Sequence, residues 1–262
     1  MNNLKDKKNF FDSGVNCYEK IWGQMDENNN IDFVIYSLSK SIFNRAKTIN
    51  DLIYIGSTES LGVLSRSLYE LYLSIRYILE DRDDSINRAN SFIFQSRIDY
   101  LNNLSNIEKN LPGSLNYSEE HCNREVSGAK NINDLITYYK NERKKLFKYK
   151  MMNRRDNRHW YDLDQEKKTS ILKLMKRLNI DKSLYSSIYG IGSMDVHGTG
   201  SINHIASDLG IESALQIPVL EKISFVITLD TLKVMKEFYR YNSNDLDDDF
   251  KLMEESFKNI IE

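Results

Sequence analysis

The chain of 262 residues has few of the residues that break helices or form disulfides. It contains two prolines, Pro112 and Pro218, and two cysteines, Cys17 and Cys122. So few prolines favour long helices over a β-sandwich, which needs many turns. Two distant cysteines without a C-x-x-C motif provide no disulfide framework, so we expect a reducing, cytoplasmic location.

Long apolar runs are also missing. No stretch of about 18 apolar residues occurs, so we expect no membrane-spanning helix, and the N-terminus lacks the apolar core of a signal peptide. The net charge of −2 argues against a protein that binds polyanions over its whole surface, but it is compatible with a local basic patch. The Walker A motif, the dinucleotide-binding glycine motif and zinc-ligand spacings are absent, so we expect neither a cofactor nor a metal.

Hydrophobic residues recur at helical spacing along most of the chain. The clearest case is the segment 61–80, where Leu64, Leu68, Leu71 and Ile75 are separated by three or four residues. A second apolar row lies on the opposite side of the same helix. A helix that is apolar on both sides is usually central in a bundle, so we expect the other helices to pack around this one.

The same periodicity predicts further helices over about 3–25, 31–48, 84–109, 132–150, 164–178, 181–197, 212–242 and 245–261. The predicted fold is therefore all-α: a multi-helix bundle of roughly eight helices with no substantial sheet, forming a single domain over 1–262. Irregular loops are predicted over about 110–131, with room for one short helix, and over about 150–163.

Positive charge is concentrated between Lys140 and Arg158, where nine of the nineteen residues are Lys or Arg. Aromatic residues from Tyr138 to Tyr161 are interleaved with them. Cations contact phosphates and aromatic rings stack on bases, so this composition indicates RNA binding, although a solvated helix face can have the same composition. The residues that we predict to bind the RNA substrate here are Lys144, Lys145, Lys148, Arg155, Arg158 and Trp160.

Within this segment, Arg154 and His159 have the spacing R-x-x-x-x-H. The pattern resembles the motif of the HEPN ribonucleases, which are small α-helical bundles that cut RNA without a metal, usually as dimers. The resemblance implies that Arg154 stabilises the charge of the phosphorane and that His159 moves a proton. It also implies a homodimer and a toxin or phage-defence setting.

A second group of polar residues lies on two separated helices. Arg66 and Glu70 are one turn apart on the central helix. A later helix carries polar and aromatic residues at spacings of four, namely Tyr185, Tyr189, Ser193 and His197. A histidine at a helix end can bond the last carbonyls or present a ring nitrogen to a ligand.

These residues carry a second resemblance. R-S-L-Y-E at 66–70, Trp160, and the series Y-x-x-x-Y-x-x-x-S-x-x-x-H-G that ends at Gly198 resemble a bacterial helical family of unknown function, over about 40–200. The resemblance implies one core cluster of Arg66, Glu70, Tyr189, Ser193 and His197. In a catalytic interpretation, the arginine, glutamate and histidine would act on a substrate held by the other two residues. The resemblance implies no established activity.

Two hypotheses about function follow. The first is an RNA-binding or RNA-cleaving protein, such as a metal-independent endoribonuclease. The second is a non-catalytic module that binds a partner or senses a small molecule, with a purely structural network of Arg66, Glu70 and His197. The sequence leaves open whether the protein is an enzyme.

Overall fold

The computed structural model of the protein describes residues 2–26, 28–57, 60–113, 117–149, 158–185, 188, 217–241 and 243–261. In these ranges the chain forms helices and turns and no strand, which confirms the predicted all-α fold. The helices are α1 (Asn2–Trp22), α2 (Asn30–Tyr54), α3 (Leu61–Leu79), α4 (Ser85–Asn110), α5 (Glu119–Glu125), α6 (Ile132–Lys145), α7 (Ile171–Arg177), α8 (Lys182–Tyr185), α9 (Ile217–Tyr239) and α10 (Asn244–Ile261).

Local signals explain where several helices begin. The side chain of Asn29 accepts a hydrogen bond from the N–H of Ile31 at the start of α2. Asn131 does the same for the N–H groups of Asn133 and Asp134 at the start of α6. Asparagine suits this position because its side-chain oxygen satisfies N–H groups that have no partner within the helix.

Two helices are shorter than their hydrophobic patterns predict. We expected α6 to reach residue 150, but it ends at Lys145 because the N–H of Lys148 donates to the carbonyl of Leu163, 2.8 Å away. We expected α7 to begin near residue 164, but it begins at Ile171. The preceding residues turn back instead, since the N–H of Thr169 donates to the carboxylate of Asp162.

The described residues belong to two compact units, one made of residues 1–82 and 171–262 and the other of residues 83–170. The single domain over 1–262 stays a prediction. In the first unit, α3 contacts both α2 and α9, and α1 contacts α10. Tyr69 and Tyr77 of α3 are completely buried, so the helix that we predicted to be central is enclosed on more than one side.

Aromatic rings join two helices of the first unit to α1, and an ion pair joins a third. Phe10 packs edge-on against Phe225 of α9, with 4.8 Å between the ring centroids, and Phe11 packs edge-on against Phe43 of α2. Lys20 of α1 forms an ion pair with Asp249 of α10 at 2.7 Å. Edge-to-face aromatic pairs add to the stability gained by burying their area, so α1 is firmly held in this unit.

The second unit is built from α4, α5 and α6. Its hydrophobic core contains Leu101 of α4, Cys122 of α5, and Leu135 and Ile136 of α6. Because Leu135 and Ile136 fix the inner side of α6, the residues on the opposite side of that helix face solvent.

Candidate nucleic-acid interface

The solvent-facing side of α6 and the segment after it carry four exposed lysines. We call Lys140, Lys144, Lys145 and Lys148 the basic surface. Lys144 and Lys145 lie in the last turn of α6, where a positive charge interacts favourably with the negative end of the helix dipole. The sequence predicted the last three of these lysines as RNA-binding residues, and the structure places them where they can reach a ligand.

Arg158 supports the loop that follows, although the sequence predicted that it binds RNA. It is 4% exposed, and its guanidinium group donates to the carbonyls of Tyr149 and Gln165, each at 3.0 Å. The same group lies over the ring of Phe147, 4.1 Å from the centroid. These contacts direct its charge into the protein, so Arg158 is corrected from a ligand-binding to a structural residue.

His159 is half-buried and held on two sides. Its backbone N–H donates to the carboxylate of Asp162 at 2.7 Å. Its ring stacks on that of Tyr161, with 4.7 Å between the centroids. Burial lowers the pKa of His159 below its usual value, the charges of Lys168 and Arg143 lower the pKa further, and the charge of Asp162 raises it. A lowered pKa favours the neutral imidazole, which can accept a proton.

Trp160, another predicted RNA-binding residue, is packed against α4. Its ring meets that of Phe92 edge-on with 5.0 Å between the centroids, and its backbone carbonyl accepts a hydrogen bond from Ser91 at 2.8 Å. The indole is half-buried. Its main contacts therefore fix the loop onto α4.

The second unit also contains a polar cluster around Glu125 that the sequence analysis missed. The carboxylate accepts hydrogen bonds from the guanidinium group of Arg97, from Tyr117 at 2.9 Å and from Tyr139 at 2.8 Å. Burial alone raises the pKa of Glu125, but these bonds outweigh it and lower the pKa below its usual value. Burial, and to a lesser extent the hydrogen bond to Glu125, raises the pKa of Tyr139 to about 12. The cluster joins the end of α5 to α4 and α6.

In the first unit, Arg66 and Glu70 form the predicted pair, with 3.1 Å between Nε and Oε1. The expectation that this pair is buried was wrong, because the side chains are 25% and 46% exposed. These positions lie on a side of α3 that its neighbours cover only in part. A partly solvated pair at this spacing is a common feature of helix surfaces.

A more buried polar cluster lies elsewhere on α3. Asp230 of α9 accepts hydrogen bonds from Tyr72 at 2.6 Å and from Arg76, whose guanidinium group also reaches the carbonyl of Leu178. Burial and then the negative charge of Asp230 raise the pKa of Tyr72 above its usual value. The spacing of Tyr72 and Arg76 was the only sequence signal for this cluster, since Asp230 is distant in the chain.

A comparison with known protein families finds one family whose model matches more than half of the chain. The model of a family of unknown function, DUF5677, matches residues 32–212. The chain belongs to the DUF5677 family. The membership confirms the predicted relationship to a helical family of unknown function. No curated protein and no solved structure matches the chain.

The DUF5677 match includes both groups of predicted site residues, and the structure describes some of them. His159, Arg66 and Glu70 lie within the described residues. The predicted residues outside the described ranges are Arg154, Arg155, Tyr189, Ser193 and His197. The partner of His159 in the R-x-x-x-x-H motif therefore lies outside the described residues. Of the late helix of the predicted core cluster, the described residues include the first turn, α8, and position 188.

Within the described ranges of this DUF5677 member, no group of three or more His, Cys, Asp or Glu side chains could hold a metal ion. A search of the same ranges for a helix long and apolar enough to cross a membrane also finds none.

Proposed function

We propose that this protein binds RNA on the basic surface and cleaves it without a metal, with His159 as the proton-transferring residue. One observation carries the proposal: a half-buried histidine, stacked on Tyr161 and held through its backbone by Asp162, lies in the loop that follows the exposed lysines of α6. Burial and then the charges of Lys168 and Arg143 lower its pKa. Arg143 belongs to the same last turn of α6 as Lys144 and Lys145. Phosphate groups favour such cationic surroundings, and a neutral imidazole can act there as a base.

The chemistry follows from the residue types. The neutral ring of His159 takes the proton from a ribose 2′-hydroxyl, whose oxygen then attacks the adjacent phosphorus. The bond from phosphorus to the 5′-oxygen breaks, and that oxygen takes a proton from water, leaving a 2′,3′-cyclic phosphate. His159 then releases the proton that it accepted to water. Nearby cations stabilise the charge that grows on the phosphoryl oxygens. By the HEPN resemblance, Arg154 is one of these cations.

The protein would perform this reaction in the cytoplasm. Cys17 and Cys122 are both buried free thiols, which suits a reducing compartment. The HEPN resemblance extends the proposal to a homodimer and to a role in a toxin or phage-defence system.

Incubating the purified protein with total RNA in EDTA tests the proposal. We expect cleavage to 2′,3′-cyclic phosphate ends, lost in His159→Ala and retained in His121→Ala. His121 is a matched control because it is an exposed histidine of α5 in the same unit. Loss of cleavage only in His197→Ala would move the chemistry to the predicted core cluster. RNA binding without cleavage by the wild type would reduce the proposal to a binding module.

A further inference from the structure

An exposed tyrosine lies on the same side of α6 as Lys145, one of the lysines of the basic surface. Tyr138 is 40% exposed, and positions 138, 141 and 145 follow one line along the helix. Seven residues separate Tyr138 from Lys145, so the two positions are about 10 Å apart along the helix axis. The Lys145 side chain is 68% exposed. Lys145 also forms an ion pair with Glu142 at 2.5 Å. A ring and a cation are thus exposed on one side of the helix, two turns apart.

The ring of Tyr138 rests against a rigid neighbour. Tyr139 meets it edge-on, with 5.2 Å between the centroids and 78° between the planes. The hydroxyl of Tyr139 donates to Glu125, which Arg97 and Tyr117 also bind. This polar cluster fixes Tyr139, which then restricts the motion of the exposed ring. An exposed ring that is already held in place loses little entropy when it stacks on a ligand.

A second exposed ring follows the last lysine of the basic surface. Tyr149 is 47% exposed. Its backbone carbonyl accepts a hydrogen bond from the buried guanidinium group of Arg158 at 3.0 Å. The main chain that carries this ring is therefore anchored, while the ring itself faces solvent.

We infer that the RNA bound here is single-stranded, with unpaired bases stacked on Tyr138 and Tyr149 and phosphates held by the lysines; this inference rests on the proposed function. In a duplex, each base is covered on both faces by its neighbours and cannot stack on a protein ring. Unpaired bases expose those faces, and any base can use them, so recognition depends on strandedness more than on sequence.

Fluorescence anisotropy with a labelled 12-nucleotide RNA and its duplex tests the inference. We expect Tyr138→Ala to weaken single-strand binding about 5-fold or more, because one stacked base contributes about 1–3 kcal/mol. Duplex binding should change less than about 2-fold. Tyr138→Phe keeps the ring and should bind like the wild type. Tyr54→Ala is the matched control, since Tyr54 is 72% exposed on α2 in the other unit.

Two failures can be told apart. If the wild type binds neither RNA, the proposed function fails and the inference fails with it. If the wild type binds RNA but Tyr138→Ala leaves both affinities unchanged, or weakens both equally, the inference alone is overturned. In that case the basic surface recognises RNA only through its phosphates.

Discussion

The imidazole ring of His159 lies nearly parallel to the phenol ring of Tyr161, with 22° between the planes and 4.7 Å between the centroids. Tyr161 is buried, so one face of the imidazole is covered by protein. The backbone of His159 is held as well, through Asp162. A histidine fixed in this way can keep one orientation toward a ligand, which is what a proton-transferring residue requires.

RNA affinity should rise as the pH falls, and His159 should account for part of that rise. The pKa of His159 is lowered in the free protein, so the neutral form of the ring is favoured. A bound phosphate favours the charged ring and raises this pKa. Binding then takes up protons between the lowered and the raised pKa. Anisotropy at several pH values between about 5 and 8 measures the effect. We expect a shallower pH dependence in His159→Gln, and equal slopes in both proteins would remove His159 from the site.

The basic surface should control how strongly salt weakens RNA binding. Each lysine that contacts a phosphate releases counterions on binding, so replacing Lys144, Lys145 and Lys148 by Gln should reduce the slope of log affinity against log salt by about 2–3. Titrations at four or more salt concentrations give this slope. Replacing three exposed lysines of the other unit, Lys8, Lys47 and Lys251, should leave it unchanged. A slope that responds equally to both triple variants would indicate nonspecific attraction.

Asp162 should be the residue on which the loop around His159 most depends. It is completely buried and accepts hydrogen bonds from the N–H of His159 and from the N–H and hydroxyl of Thr169. Asp162→Ala would leave these donors without an acceptor, and we expect a loss of about 2–4 kcal/mol in the free energy of unfolding. Urea denaturation measures it. Asp162→Asn keeps one acceptor oxygen and should cost less.

Asp99→Ala is the control for that measurement, because Asp99 is exposed on α4 and, within the described ranges, accepts a hydrogen bond from the side chain of Gln95 alone. We expect this variant to lose less than about 1 kcal/mol. Equal losses in Asp162→Ala and Asp99→Ala would show that the buried carboxylate does not hold the loop.

The sequence predicted helices and contacts that depend on residues close together in the chain. It missed contacts between residues that are far apart in the chain. The spacing of apolar residues identified α3, and the spacing of Arg66 and Glu70 identified a pair that does form. Whether that pair is buried depends on which sides of α3 other helices cover, and no local pattern contains this information. The bond from Tyr72 to Asp230 joins residues 158 positions apart, so no spacing rule could indicate it.

In the second unit, too, local sequence patterns could not indicate contacts between distant residues. Glu125 lies in the segment 110–131, whose sequence has no helical period, yet α5 brings it to Arg97 and Tyr139. The end of α6 is likewise set by a bond from Lys148 to Leu163, across a loop. Bonds of this kind depend on the tertiary fold, so periodicity predicted α6 beyond its real end.

Replacing two carboxylates of the first unit, Asp230 and Glu70, tests whether the cluster around Asp230 stabilises the protein more than the surface pair of Arg66 and Glu70 does. Asp230→Ala would remove the acceptor of Tyr72, which is 5% exposed, and the partner of Arg76. We expect a loss of about 1–3 kcal/mol, because a buried hydroxyl and a half-buried guanidinium group lose a hydrogen bond. Glu70→Ala should cost only about 0.5 kcal/mol, since its pair with Arg66 is partly solvated.

Thermal or urea denaturation of the two variants side by side measures this difference. Tyr72→Phe, which removes only the hydroxyl, should lie between them. A loss in Glu70→Ala as large as that in Asp230→Ala would mean that Glu70 has a buried role, as the predicted cluster with Arg66 and His197 requires. That result would favour the core cluster over His159 as the place to search for activity.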